Sequence, residues 1–165
     1  MDNFYEQLLK TYKTVKYKTV RFLLFFFGVS GLFLLMMLAF IPAVILIALS
    51  IGMFFLKKRL FIEYEYDFTS GEIAVDKIVE MKKRSRLYTF NIKEVELLAP
   101  ESSYYVKDFS NKPQKTAVCY PKTANGQVYA AMVTGGSERL QLKFMPDEKF
   151  LELCHKYNPR AVKTC

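Results

Sequence analysis

Between Phe22 and Leu56 the chain runs for thirty-five residues without a charge, and most of them are Phe, Leu, Ile, Val or Met. As one straight helix this run would be roughly 52 Å long at about 1.5 Å per residue, against a hydrocarbon core of about 30 Å. Two crossings fit that length and one does not. Phe40-Ile41-Pro42 marks the break, because proline has no amide hydrogen and is accommodated in the first turn of a new helix. The expected unit is a transmembrane helical hairpin over residues 20–59, with helices at about 20–39 and 42–58.

The flanks orient it. Lys10, Lys13, Lys16, Lys18 and Arg21 precede the first helix, and Lys57, Lys58 and Arg59 follow the second. Basic flanks stay on the cytoplasmic side, so both termini are expected in the cytoplasm and the chain is expected to be a multi-pass inner-membrane protein. The apolar run is too long for the h-region of a cleaved signal peptide. Small residues suggest where the helices touch: Gly28 and Gly31 share a face of the first, and Ala48 and Gly52 form a small-xxx-small pair on the second. No ionisable side chain lies between Phe22 and Leu56, which removes the usual marker of an ion path or proton relay.

The formal charge of +8 resembles a nucleic-acid signal until it is divided by region. Residues 1–21 carry +3, residues 57–59 carry +3, and the remaining 106 residues only +2. The excess sits where anionic lipid attracts it, so the lipid bilayer is the expected partner and nucleic acid is not required. Cys119, Cys154 and Cys165 are widely spaced, lack a CxxC pattern and read as reduced thiols. With His155 the sole histidine, a zinc site is not expected, and no other cofactor is implied. Asp2 after Met1 does not fit myristoylation, and a terminal cysteine is not a prenylation box.

Ahead of the hairpin, residues 1–19 are expected to form an amphipathic interfacial helix capped by Asp2, with Phe4, Leu8, Tyr12 and Val15 on one face. After Arg59 the pattern changes. Ile62, Tyr64, Tyr66 and Phe68 alternate with Glu63, Glu65 and Asp67, which predicts a half-buried strand with a solvated acidic face. Thr69-Ser70-Gly71 is a turn, and Ile73 to Val79 returns as a second strand. Further strands are expected at Leu87 to Ile92, Val95 to Ala99, Tyr104 to Lys107, Thr116 to Tyr120, Val128 to Thr134 and Arg139 to Phe144. Turns are expected at Ala124-Asn125-Gly126 and Gly135-Gly136-Ser137. A helix at about 146–157 opens at Pro146-Asp147 and stops at Asn158-Pro159. Residues 60–165 thus read as one α+β domain, an antiparallel β-sandwich or open barrel closed by a C-terminal helix.

The order of these features carries a resemblance: the hairpin, Glu63-Tyr64-Glu65-Tyr66-Asp67-Phe68-Thr69-Ser70-Gly71-Glu72-Ile73, the basic run Lys82-Lys83-Arg84-Ser85-Arg86, about seven strands and a closing helix. The chain resembles the small bacterial membrane proteins of unknown function that carry a bacterial pleckstrin-homology-like (PH-like) domain. Met1-Asp2-Asn3-Phe4-Tyr5-Glu6 and Lys156-Tyr157-Asn158-Pro159-Arg160 are similar to one such family. The resemblance implies a fold and no reaction. Phosphoinositide-binding members of the wider fold place basic residues in the first hairpin loop, whereas here it is Thr69-Ser70-Gly71-Glu72.

Lys82, Lys83, Arg84 and Arg86 are the candidate anionic-lipid contact, set against a plain solvated hairpin tip neutralised by Asp76, Glu80 and Glu94. Tyr64, Tyr66, Phe68, Tyr88 and Phe90 could stack bases, but period-two aromatics are what a sheet with one buried face requires. Cys154 and His155 point about 100° apart on a helix and make no nucleophile pair. Gly135-Gly136-Ser137 lacks the Lys-Ser/Thr of a phosphate loop. With no catalytic constellation, the expectation is a non-enzymatic membrane protein presenting an interaction module to a protein partner or to itself. An anionic-lipid-responsive module is the alternative, and an envelope-lipid enzyme a distant third.

Overall fold

The computed structural model describes residues 4–136 and 138–163. The expected cap Asp2, the turn residue Ser137 and Cys165 lie outside them. The uncharged run forms α1 (Val15–Met36) and α2 (Phe40–Leu60), joined by a reversal in which Leu38 takes φ 59°. The first helix starts five residues before its expected boundary because Thr14 caps it, its hydroxyl accepting from the Tyr17 amide at 3.3 Å. Pro42 falls in the first turn of α2, where no amide hydrogen is missed. Both helices are long and apolar enough to cross a membrane. Only 11% and 6% of their most apolar windows is buried, so neither is the core helix of a globular domain.

Residues Phe4–Leu9 are not helical. They form β1, paired antiparallel with β2 (Ile62–Thr69) from Phe4 opposite Thr69 to Leu9 opposite Tyr64. Phe4, Leu8 and Tyr12 are spaced by four, a multiple of the strand period as well as near one helical turn, so their spacing alone suits either element. The sheet selects the strand: Tyr5 and Leu9 pack against the core while Phe4 and Leu8 face outward. The whole helical pair is therefore the connection of a β1–β2 hairpin.

Next come β3 (Glu72–Val79) and β4 (Lys83–Asn91), giving a first sheet in the order β1-β2-β3-β4. Ser70 (φ 49°) and Gly71 (φ 100°) close the β2–β3 turn, both left-handed as a two-residue hairpin turn requires. A single 3₁₀ turn leads into β5 (Val95–Pro100), followed by α3 (Tyr104–Lys107), β6 (Lys115–Val118), β7 (Tyr129–Val133) and β8 (Leu140–Phe144). The second sheet runs β5-β7-β8-β6, with β6 parallel to β8. The segment expected as a strand at Tyr104 to Lys107 is the short helix α3, because the free edge of β5 is already taken: Leu98 donates to Ala161 O and accepts from Lys163 N. Helix α4 (Glu148–Tyr157) has Asp147 as its cap, accepting from Phe150 N at 2.8 Å.

Between the sheets and α4 lies one core, built on Tyr66, Phe68, Ile73, Val75, Leu98, Leu142, Phe144, Phe150 and Cys154. Tyr66 is tied to the second sheet as well as packed, its hydroxyl donating to Cys119 O and accepting from Met145 N. The motif at Glu63–Ile73 and the closing motif at Lys156–Arg160 meet here. A Cβ on Gly71 would stand 3.0 Å from the Tyr157 ring, and the Asn158 amide donates to Ile92 O and Val95 O. These positions hold the fold together.

Candidate functional site

The inner faces of the helices meet at the expected glycines of α1 but not at the expected pair of α2. A Cβ on Gly31 would stand 2.8 Å from Ile47 Cγ1 and 3.3 Å from the Ala43 carbonyl oxygen, and one on Gly28 would meet Ser50 Oγ at 3.3 Å. Ser50 donates to Leu24 O at 2.9 Å. Ala48 is exposed and Gly52 has open space around it, so both lie on the outer face of α2. The reversal at residues 37–39 sets this register and places Ala43, Ile47 and Ser50 opposite the glycines. Gly31→Ala is expected to cost about 1–3 kcal/mol by overpacking while Gly52→Ala is near neutral, read by SDS titration of the detergent-solubilised chain. Equal midpoints for the two variants would contradict this register.

At the other end of the hairpin the flanking cations gather. Lys16, Lys18 and Arg21 lie in the first two turns of α1, and Lys57, Lys58 and Arg59 in the last turn of α2, where they complement the helix dipole. Lys57 bridges to Glu80 at 2.9 Å, and Lys58 stands 4.2 Å from the Phe54 ring centroid. Tyr17 and Phe61 pack at 5.4 Å, which joins the hairpin to the first sheet. A contact that spacing did not disclose holds the second sheet there as well: the hydroxyls of Thr11 and Thr123 are 2.6 Å apart.

The basic run is not a hairpin tip. The turn is Glu80-Met81-Lys82, the first two with positive φ, so only Lys82 of the run lies in it and β4 begins at Lys83. Opposite β4 the acidic residues are not solvated either: Glu63, Glu65 and Asp76 are 4%, 3% and 2% exposed. Arg84 contacts Glu65 and Asp76, and Arg86 holds Asp76 at 2.9 Å and Asp67 at 3.5 Å. Two guanidiniums laid across three strands thus cover the carboxylates, and Glu63 is engaged by the Thr11 amide. Glu6, Glu65 and Asp67 bring carboxylate oxygens within 4.8 Å of one another, an arrangement that could hold a cation, but arginine already provides the positive charge. Burial holds the Asp67 carboxyl above the usual range, Asp76 and Glu6 adding to the effect and Arg86 opposing it. Of the four expected lipid contacts, Lys82 and Lys83 are exposed, whereas Arg84 and Arg86 are occupied by carboxylates.

Cys119 and Cys154 are buried, and burial pushes their thiols up to about 11 and about 12. His155 is exposed and Cys154 faces the core. Both described thiols are expected to resist iodoacetamide at pH 8 until the protein unfolds, as read by mass spectrometry of each cysteine peptide. Above about pH 9 an unfolded thiol ionises while the folded one stays neutral, so stability falls with rising pH between about 9 and 11. The slope is about 1.4 kcal/mol per pH unit for each group. Tyr66, raised mainly by burial, acts in the same direction.

The family profile described as Bacterial PH-like domain (DUF6106) matches residues 1–164. The chain belongs to this family. Its two sheets and closing helix are the PH-like domain, with the apolar helical pair inserted between the first two strands. The first sheet and the second remain open rather than joining as a closed barrel. No curated protein and no solved structure matches the chain significantly.

Proposed function

We propose that this PH-like protein is a multi-pass inner-membrane protein whose helical hairpin crosses the bilayer and holds the two sheets on the cytoplasmic face. There it binds a protein partner or a second copy and catalyses no reaction. The observation that carries this reading is the six-pair ladder between β1 and β2, which flanks the hairpin in sequence. A chain that leaves the sheet at Leu9 and rejoins it at Ile62 returns to the side it left, so helices entering a bilayer between those points cross it an even number of times. The cations at both flanks select the cytoplasm for that side. The scarcity of buried residues and the many exposed apolar side chains along α1 and α2 support lipid as their surroundings.

The free edge of the first sheet suits strand addition. Among the described residues β4 has no strand beyond it, whereas Gln7 of β1 is tied to Met145 O and Asp147 N, and β5 is covered by residues 161–163. Fluorescent-protein fusions at both termini are expected to be bright in cells, and a cysteine replacing Leu38 is expected to be labelled only from outside. A photo-crosslinker replacing Leu87 on β4 is expected to capture one reproducible protein or the chain itself. Opposite placement of the two termini would refute the hairpin, and no crosslink from β4 would refute the edge.

A further inference from the structure

Where the hairpin meets the sheets there is a cleft of about 810 Å³. Its walls come from four places in the sequence: the linker and first turn of α1 (Thr11, Thr14, Val15 and Lys16), the last turn of α2 with the start of β2 (Arg59, Leu60, Ile62 and Tyr64), Val118 at the end of β6, and the loop that follows it (Tyr120 to Thr123). Among the described residues three cations, Lys16, Arg59 and Lys122, stand on these walls and no carboxylate does. Among the described residues none of the three forms an ion pair, in contrast to Lys57, Arg84, Arg86 and Lys143. All three are exposed. The remaining lining is largely apolar, and two of its members, Val15 and Val118, are themselves 79% and 53% exposed.

From this geometry we infer that the cleft is a binding site for one anionic phospholipid. The phosphate sits among Lys16, Arg59 and Lys122, and the glycerol and first acyl carbons lie against Val15, Leu60 and Val118. Charge complementarity selects an anion, since three cations that form no ion pair among the described residues line one cleft and no acid lines it. Position selects a lipid: the cleft begins where α1 starts and α2 ends, which is head-group depth if these helices cross the bilayer, a reading on which the site rests. Its volume falls within the usual range of about 300–1,000 Å³ for small-ligand sites.

Lys122 distinguishes the site from ordinary basic flanking. It lies more than sixty residues beyond α2, and the contact between the Thr11 and Thr123 hydroxyls brings its loop to the cleft. Within that pair one hydroxyl donates to the other, so one hydroxyl hydrogen is left for an anionic oxygen.

The test uses the full chain in mild detergent, with native mass spectrometry of its adducts with added phosphatidylglycerol or phosphatidylcholine. Wild-type protein is expected to retain phosphatidylglycerol preferentially. The triple variant K16Q/R59Q/K122Q is expected to lose about a hundredfold in that affinity, on the scale of three basic groups near an anionic head group. Removing the same charge at exposed positions elsewhere, as K107Q/K112Q/K156Q, is expected to change affinity by less than about threefold, because distant surface charges are screened. The single variant K122Q, which leaves both helix flanks intact, is expected to fall between the two.

Glycerol 1-phosphate at millimolar concentration is expected to leave the adduct in place; displacement would reassign the cleft to a soluble phosphate. Equal retention of the two lipids, or equal losses from the two triple variants, would overturn the site while leaving membrane insertion intact. A wild-type chain that stays dispersed without detergent would overturn insertion and the site together.

Discussion

Replacing Phe150 by alanine is expected to destabilise the sheet module by about 3–5 kcal/mol, the range for a fully buried aromatic truncated to a methyl group. Phe150 has no exposed surface, and its ring centroid lies 6.1 Å from Tyr66, 5.9 Å from Phe68 and 6.1 Å from Phe144, all in edge-to-face arrangements. It is the side chain by which α4 reaches both sheets at once. Removing it leaves a cavity that one short helix cannot collapse into while Asp147 is held by Tyr5 at 2.5 Å and Asn158 by the 3₁₀ turn and β5. Phe150→Leu keeps most of the volume and is expected to cost less than about 1.5 kcal/mol. The chain contains no tryptophan, so urea unfolding of the detergent-solubilised protein is followed by the near-ultraviolet circular dichroism of its tyrosines, Tyr66 among them. A change below about 1 kcal/mol for the alanine variant would mean that α4 does not complete this core.

The second large effect is expected at Arg84. Its guanidinium contacts Glu65 and Asp76, whose side chains are 4% and 3% exposed, and it approaches Glu6 at 4.0 Å. Arg84→Ala leaves Asp76 with Arg86 but strands the Glu65 carboxylate in a place that water does not reach. Breaking such a pair costs about 3–5 kcal/mol when both partners are buried. Here the arginine is half exposed and water takes part of the load, so about 2–3 kcal/mol is expected. The sign of the pH dependence separates this cause from lost packing. Protonating Glu65 removes the stranded charge, so the deficit relative to wild type shrinks as pH falls from 8 to 5. The double variant R84A/E65Q is expected to recover at least half of the loss at pH 7.5. A deficit independent of pH would show that Arg84 acts through its aliphatic stem.

The carboxylates on β2 show why part of the fold was hidden. Alternation correctly placed Ile62 to Phe68 in a strand and set Tyr66 and Phe68 facing the core. The same alternation put Glu63, Glu65 and Asp67 on the opposite face, and polarity alone reads that face as solvated. Its cover comes from Arg84 and Arg86, about twenty residues later, whose run of cations reads as a hairpin tip until the Glu80-Met81-Lys82 turn moves Lys83 onward into β4. A pattern of charge that returns with opposite sign on the next strands was the available signal. Tyr104 to Lys107 fails as a strand for a related reason: its residues favour extended backbone, but the edge they could join is occupied by residues 161–163.

The sequence by itself determined the two helices, because thirty-five uncharged residues exceed one crossing and a proline marks the new start. It also determined the β2–β3 hairpin, from strict alternation closed by Ser70-Gly71, and the C-terminal helix, from a capping Asp147 and a stop at Asn158-Pro159. Each of these is local: the information lies within one turn, one period or one cap. Tertiary structure alone decided that residues 4–9 extend a sheet, that Gly31 faces Ala43 and Ile47 rather than Gly52, and that Lys122 reaches the flanks of α1 and α2. Periodicity states which residues share a face. What covers that face depends on the summed pairing of segments far apart in the chain, and that sum exists only in the assembled fold.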